Sequence, residues 1–236
     1  MGSESTRWSQ IRGAAAGQPV ARDGFVRCYE PVLRAYLLAR WGGGPLRPEV
    51  DDAVQDVFVE CFRAGGALEK ADPTRGSFRA FLYGLARNIA RRHEEKQGGR
   101  REGQAPSPSA FEAMPVDEDS VSHAFERAWA RSVMRQAAER QAVRAHEGGA
   151  EALKRVELLR LRFEEGVPIR DIAVRWGADP AWVHHEYARA RREFRAAVTD
   201  VLTDLEPDCA PDAEGTRLLA LLRQDGGPSA RKPGST

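Results

Sequence analysis

The sequence predicts an all-α protein, on three observations. Apolar residues recur every three to four positions in almost every ordered stretch, and no stretch alternates convincingly at two. Glycine and proline punctuate those stripes, as in GGGP at 42–45 and AGGALEKADPTRG at 64–76. The chain of 236 residues is 42% hydrophobic and 30% charged, too apolar for wholesale disorder and long enough for one large or two small cores.

Each element follows from its own stripe. A short N-terminal helix precedes one from Asp23 to Trp41, where Phe25, Tyr29, Val32, Leu33, Tyr36 and Leu37 share a face. After GGGP a second stripe spans about Pro48 to Arg63, with Val50, Val54, Val57, Phe58 and Cys61 inward. Pro48 suits a first helical turn, and the acids near it suit the positive end of the helix dipole. The next helix starts near Ser77, a capping residue, and buries Phe78, Phe81, Leu82, Leu85 and Ile89. Residues 97–117 are rich in Gly, Pro, Ser and charge and read as a flexible linker. A long helix runs from about Asp119 to His146, with Val121, Phe125, Trp129 and Val133 at four-residue steps and Gly148 and Gly149 at its end. Beyond Leu205 come an acidic, Pro-bearing link, a short apolar helix around Leu218 to Leu222, and a disordered GGPSARKPGST.

Between these lies RVELLRLRFEEGVPIRDIAVRWGADPAWVHHEYARARREFR, which parses as helices at Ala150–Phe163, Pro168–Trp176 and Pro180 to about Leu202. Gly177 makes the turn, Asp179 caps the last helix, and Pro180 takes its first position. Small Ala173 permits close approach, while Ile172, Trp176, Val183 and Tyr187 supply a shared core. This is the pattern of a helix-turn-helix, whose second helix enters the DNA major groove. Its outward positions hold Trp182, His184, His185, Arg189, Arg192 and Arg195, suited to phosphates and base edges. An ordinary αα-hairpin with a solvated face is the alternative.

Chemistry is excluded more firmly than it is assigned. Thirty-six basic against 35 acidic side chains leave a net charge of +1, which argues against gripping nucleic acid by bulk electrostatics. The signs are nevertheless segregated. PEVDDAVQDVFVE carries Glu49, Asp51, Asp52, Asp56 and Glu60 without a base, whereas SFRAFLYGLARNIARRHEEK carries Arg79, Arg87, Arg91, Arg92 and Lys96. Two such helices suggest two macromolecular partners, or else two solvated faces. Cys28, Cys61 and Cys209 have no zinc spacing and form no disulfide framework. Adjacent His184 and His185 point in different directions and lack a carboxylate partner, so no metal or other cofactor is expected. There is no nucleophile–base constellation and no phosphate-binding glycine loop, so no catalytic residue is assigned and no enzyme is expected. No run approaches the roughly 18 apolar residues of a membrane span, and MGSESTRWSQIRGAAAGQ has no signal-peptide h-region, so the expectation is a cytoplasmic protein without a membrane partner.

Two blocks in fixed order carry a resemblance. DDAVQDVFVECFR followed by DPTRGSFRAFLYGLARNIARR, then LLRLRFEEGVPIRDIAVRWG followed by VHHEYARARREFR, make the chain similar to extracytoplasmic-function (ECF) sigma factors. These are bacterial transcription initiation subunits with two helical domains on a flexible linker. The opening TRWSQIRGAAAGQPVARDGFVRCYEPVLRAYLLARW and the segment FERAWARSVMRQA resemble a subgroup common in planctomycetes. The resemblance implies a sigma-two-like bundle over 1–96, a linker over 97–118, a sigma-four-like helix-turn-helix domain over 119–204 and a C-terminal extension over 205–236.

It also assigns jobs to the charged faces. Asp52, Gln55 and Asp56 would bind the β′ clamp helices of core RNA polymerase. Asn88, Arg91 and Arg92 would read the upstream −10 element of promoter DNA, with Arg87 on a phosphate, and the loop Gly65 to Gly76 would hold a flipped base. Among the nearby aromatics, Phe78, Phe81 and Tyr83 suit stacking, although periodicity puts Phe78 and Phe81 in the core. The −35 element would be read by Trp182, His184, His185, Arg189 and Arg192. Relatives often carry Thr-Val-Lys-Ser-Arg-Leu where this chain has Trp182-Val183-His184-His185-Glu186-Tyr187, so an arginine becomes Glu186. On DNA, that glutamate would repel phosphate or select a cytosine amino group. An anti-sigma factor is a further partner the resemblance admits. The alternatives are a dimeric helix-turn-helix regulator on a palindrome, and a sigma-like protein acting only through protein partners.

Overall fold

The computed structural model describes residues 7–72, 77–102, 117–205 and 210–225. Among them are helices and no strand: α1 (Arg7–Ala15), α2 (Pro19–Trp41), a 3-10 turn (Arg47–Glu49), α3 (Val50–Phe62), α4 (Phe78–Glu102), α5 (Glu118–Gly148), α6 (Ala150–Phe163), α7 (Ile169–Trp176), α8 (Pro180–Leu205) and α9 (Pro211–Asp225). The all-α expectation holds. Contacts divide the chain into two compact units, one of Met1–Ser132 with Asp204–Thr236 and one of Val133–Thr203. The divisions fall inside α5 and α8.

In the first unit α2 is the central element, because its apolar stripe is nearly continuous. Phe25, Tyr29, Val32, Leu33, Tyr36 and Leu37 are all buried on it. Around Phe25 gather Tyr29, Phe58, Phe62 and Phe78, with ring centroids 4.6–6.3 Å away, edge-on or tilted as aromatic quadrupoles prefer. The helix α3 buries Val50, Ala53, Val54, Val57 and Cys61, positions spaced for one face. Burial pushes the Cys61 thiol up to about 12, so it is a packing group rather than a nucleophile. Arg22 closes the bundle by donating to the carbonyl oxygens of Ala14 and Phe62, both at 3.0 Å, and so satisfies the C-terminal ends of α1 and α3.

The helix α4 begins where Ser77 Oγ accepts from the Ala80 amide at 3.2 Å, as its capping chemistry predicts. It then runs through Glu102, six residues past the expected end at Lys96. The segment Glu95 to Glu102 is charged and glycine-bearing, which masks a helix in composition alone. Residues 103–116 of the expected linker lie outside the described residues, as do loop residues 73–76, Cys209 and the final 226–236, while Glu118 at the linker's expected end already starts α5.

The first half of α5 also packs in this unit, beyond the expected boundary at 118/119. Trp129 stacks on Tyr29 at 5.9 Å and Phe125 meets Tyr36 and Tyr83 at 6.2 and 5.1 Å. Ser132 Oγ donates to the Cys28 carbonyl at 2.7 Å. Four-residue steps reveal the stripe but not its partner, which explains the difference.

The second unit holds the rest of α5, α6, α7 and α8 up to Thr203. Its core is Leu158, Leu161, Ile172, Ala173 and Val183, with Val167, Ile169, Trp176, Ala178 and Tyr187 packed against it. Gly177 adopts φ 59°, ψ 34°, the left-handed conformation that lets α7 end abruptly. Asp179 Oδ1 accepts from the Ala181 amide at 3.0 Å and starts α8 three residues after α7 ends.

One ion pair in the first unit has a measurable pH signature. Arg40, with a 6% exposed side chain, donates to Glu94 at 2.7 and 3.0 Å, and Trp41 Nε1 donates to the same carboxylate. Burial opposes ionisation of Glu94, yet the Arg40 and Trp41 hydrogen bonds and the Arg40 charge hold its carboxyl below the usual value. A depressed folded pKa contributes stability above the unfolded value and loses it as pH falls through the folded one. Glu94→Gln is therefore expected to cost about 1–2 kcal/mol at pH 7. In denaturant titrations, the gap to wild type closes below about pH 4.

Candidate polymerase and nucleic-acid faces

Two exposed faces of opposite charge lie on adjacent helices of the first unit. Burial of Ala53, Val54 and Val57 turns Asp52, Gln55 and Asp56 outward on α3, the three residues singled out from sequence. They share one side at i, i+3 and i+4 spacing. Asp56 is not solely solvated: its Oδ2 lies 2.8 Å from His93 Nε2 of α4, and Glu49 lies 3.9 Å from the other ring nitrogen. Asp51 is paired with Arg34 of α2 and so belongs to the scaffold.

Sequence reasoning missed the apolar part of this face. Val59 is 63% exposed beside Gln55 and Asp56. With Gln55, Phe58, Phe62 and Arg63 it lines a shallow open depression. The signal was present in the spacing, since Val59 follows Gln55 by four and Asp56 by three. It was obscured because valine in VFVECF reads as core.

On α4 the buried positions are Phe78, Leu82, Ala86, Ile89 and Ala90. Their stripe leaves Arg87, Asn88, Arg91 and Arg92 exposed as two i, i+4 pairs side by side. Arg91 reaches Glu95 only at 3.9 Å, with both side chains mostly solvated. Such a pair is weak and readily exchanged for another anion. The face therefore presents cations and one amide, suited to phosphates and base edges. Phe78 is fully buried, whereas Phe81 is only partly so, and Tyr83 packs edge-on against Tyr36 and Phe125.

In the second unit Val183 and Ala190 of α8 are fully buried, which sends His184, His185, Arg189 and Arg192 outward. Trp182, 37% exposed, stands beside them with Lys154 Nζ 5.9 Å above its ring. Lys154 thus adds a cation to the start of α8 from α6, a neighbour that no local pattern could reveal. Arg189 approaches Glu193 at 3.4 Å with half its side chain exposed. Among the described residues no three His, Cys, Asp or Glu side chains are placed to hold a metal. No helix among them is long and apolar enough to cross a membrane.

Glu186 overturns an expectation. It does not face outward beside the histidines; it is 8% exposed and accepts from Arg155 Nη1 at 3.2 Å. The same guanidinium, 7% exposed, donates through Nε to Glu193 at 2.9 Å. Burial works against the Arg155 charge, but the two carboxylates raise its pKa nonetheless. The position is three residues from Val183 and four from Ala190, on the inward stripe, so a charge there must be met by a charge from α6. Glu186 consequently ties α8 to α6.

Removing one member of a buried pair strands the other. Arg155→Ala is expected to destabilise the second unit by about 3 kcal/mol, read by chemical denaturation. Adding Glu186→Leu is expected to recover most of that loss. If Glu186→Ala instead strengthens DNA binding and leaves stability unchanged, the buried placement is wrong.

Residues 25–100 match the Sigma-70 region 2 family. The match contains α3, α4 as far as residue 100 and both charged faces of the first unit, and it supports a sigma factor family. No curated protein gives a significant match to the chain.

Proposed function

We propose, from the region 2 match, that the chain is an extracytoplasmic-function sigma factor of the planctomycete-like subgroup. The observation that carries the reading is the pair of oppositely charged faces on α3 and α4, both inside the matched segment. The acidic α3 face, Asp52, Gln55 and Asp56, docks on the β′ clamp helices of core RNA polymerase. The basic α4 face, Arg87, Asn88, Arg91 and Arg92, reads the upstream −10 element. The α7–α8 pair acts as a helix-turn-helix on the −35 element, with Trp182, His184, His185, Arg189 and Arg192 outward. Polymerase supplies the catalysis in the cytoplasm, and the modest net charge fits a factor that reaches DNA mainly through polymerase. An anti-sigma factor would be one further partner.

A sigma-like protein that binds only proteins would be favoured by an outward Glu186 and by weak basicity around it. With that carboxylate engaged by Arg155, the polar and aromatic side chains exposed from Trp182 to Arg195 of α8 are tryptophan, histidine and arginine.

Run-off transcription with core polymerase on a promoter library tests the reading. Asp52→Ala with Gln55→Ala is expected to weaken polymerase binding about 10–100-fold, by loss of two polar contacts. Arg91→Ala with Arg92→Ala is expected to leave that binding intact, to lower transcript yield and to relax sequence preference at the −10 element, whereas Arg87→Ala is expected to reduce the salt dependence of promoter binding by about one in slope. Absence of both polymerase binding and transcripts in the wild type would refute the reading.

A further inference from the structure

A helix-turn-helix turns the start of its second helix to the base edges, close to the phosphates that wall the groove. The start of α8 carries no lysine or arginine of its own: Pro180 to Tyr187 hold neither. The first arginine, Arg189, approaches Glu193 at 3.4 Å, and Arg191 lies 5.7 Å from the centroid of the Tyr187 ring. The cation at that end comes from another helix. Lys154 of α6 places Nζ 5.9 Å from the centroid of the Trp182 ring.

The placement follows from the packing of α6 on α8. Arg155, the next residue, is buried and donates to Glu186 and Glu193, which fixes α6 against α8. Adjacent residues on a helix differ in direction by about 100°. An inward Arg155 therefore leaves Lys154 at the edge of the contact, within reach of Trp182. The attraction of an ammonium for a ring face consumes no anion, so the lysine stays able to donate to one. Lys154 also meets Glu151 at 3.5 Å, but both side chains are more than half exposed, and such a pair exchanges readily for another anion.

We propose that Lys154 contacts a phosphate at the wall of the groove that α8 enters, and that Trp182 positions this lysine instead of reading a base. The inference rests on the proposed −35 role of the α7–α8 pair and changes the division of labour within it. His184 and His185 are left to the base edges, and α6 joins the DNA footprint. The indole brings one N–H donor and no acceptor to a base edge, while its face is taken by the ammonium.

The test is promoter binding by the full-length protein with core polymerase, over a salt series, on a library promoter with its −35 element intact or scrambled. Lys154→Ala is expected to weaken binding about fivefold near ~0.1 M salt and to lower the salt slope by about one, equally across −35 sequences. Lys154→Arg keeps the charge and still stacks on an indole, so it is expected to retain both. Trp182→Ala is expected to lose most of what Lys154→Ala loses, and the double variant to lose little more than either alone. Unchanged affinity and slope in Lys154→Ala overturn the phosphate contact, and the −35 reading stands if scrambling still weakens the wild type. Additive losses, with an altered −35 preference in Trp182→Ala, make Trp182 a base reader and overturn its positioning role. A wild-type complex indifferent to scrambling refutes the −35 reading and this inference with it.

Discussion

The rotational setting of α4 decides which charges the first unit shows to solvent on that helix. Successive residues on an α-helix turn by about 100°, so one residue of slip would bury Arg91 or Arg87 and expose apolar side chains. The setting is fixed from inside by Phe78, which packs 5.9 Å from Phe25 and 5.2 Å from Tyr29, and by Leu82, Ala86 and Ile89 below it. Towards the other end it is fixed by Glu94 on Arg40 and Trp41, and by His93 against Asp56. Apolar packing sets the phase and charged pairs keep it where the helix becomes polar. The basic face follows from those two facts.

Charge in this protein has two uses that composition cannot separate. Some ionised groups are internal fasteners: Arg40 with Glu94 and Glu118, and Arg155 with Glu186 and Glu193. Others stand in solvent at helical spacing, on α3, α4 and α8. A net charge near zero averages over both. His93 joins the two faces, since it sits beside Arg92 on α4 yet holds Asp56 of the acidic face. The two faces are thereby set against each other by a hydrogen bond as well as by packing.

Much of the fold was legible because its helices are amphipathic and well punctuated. The stripes of α2 and α3, the Ser77 cap, the Gly177 turn and the Asp179 cap are local patterns, and the structure realises them at the residues where they were expected. What escaped was nonlocal. The far end of α4 is polar on every side, so composition resembled a linker. The first half of α5 packs on α2 and α4, and a stripe does not name its partner. Glu186 looked outward because carboxylates usually are; only Arg155, 31 positions earlier in sequence, makes its burial tolerable. The exposure of Val59 and the placement of Lys154 over Trp182 depend likewise on neighbours distant in sequence. The candidate residues on α3, α4 and α8 are all exposed as expected, because their outward direction follows from the buried stripe alone.

On the proposed function, the adjacent helices α3 and α4 turn two faces to two different partners. Site-directed photocrosslinking in the assembled complex tests it most directly, with a photoreactive side chain at Gln55 in one sample and at Asn88 in another. With core polymerase and promoter DNA present, the Gln55 probe should attach to the β′ subunit and the Asn88 probe to DNA near the −10 element. Attachment of both probes to the same partner, or of neither to any partner in a complex that has formed, would show that the two faces do not serve two partners.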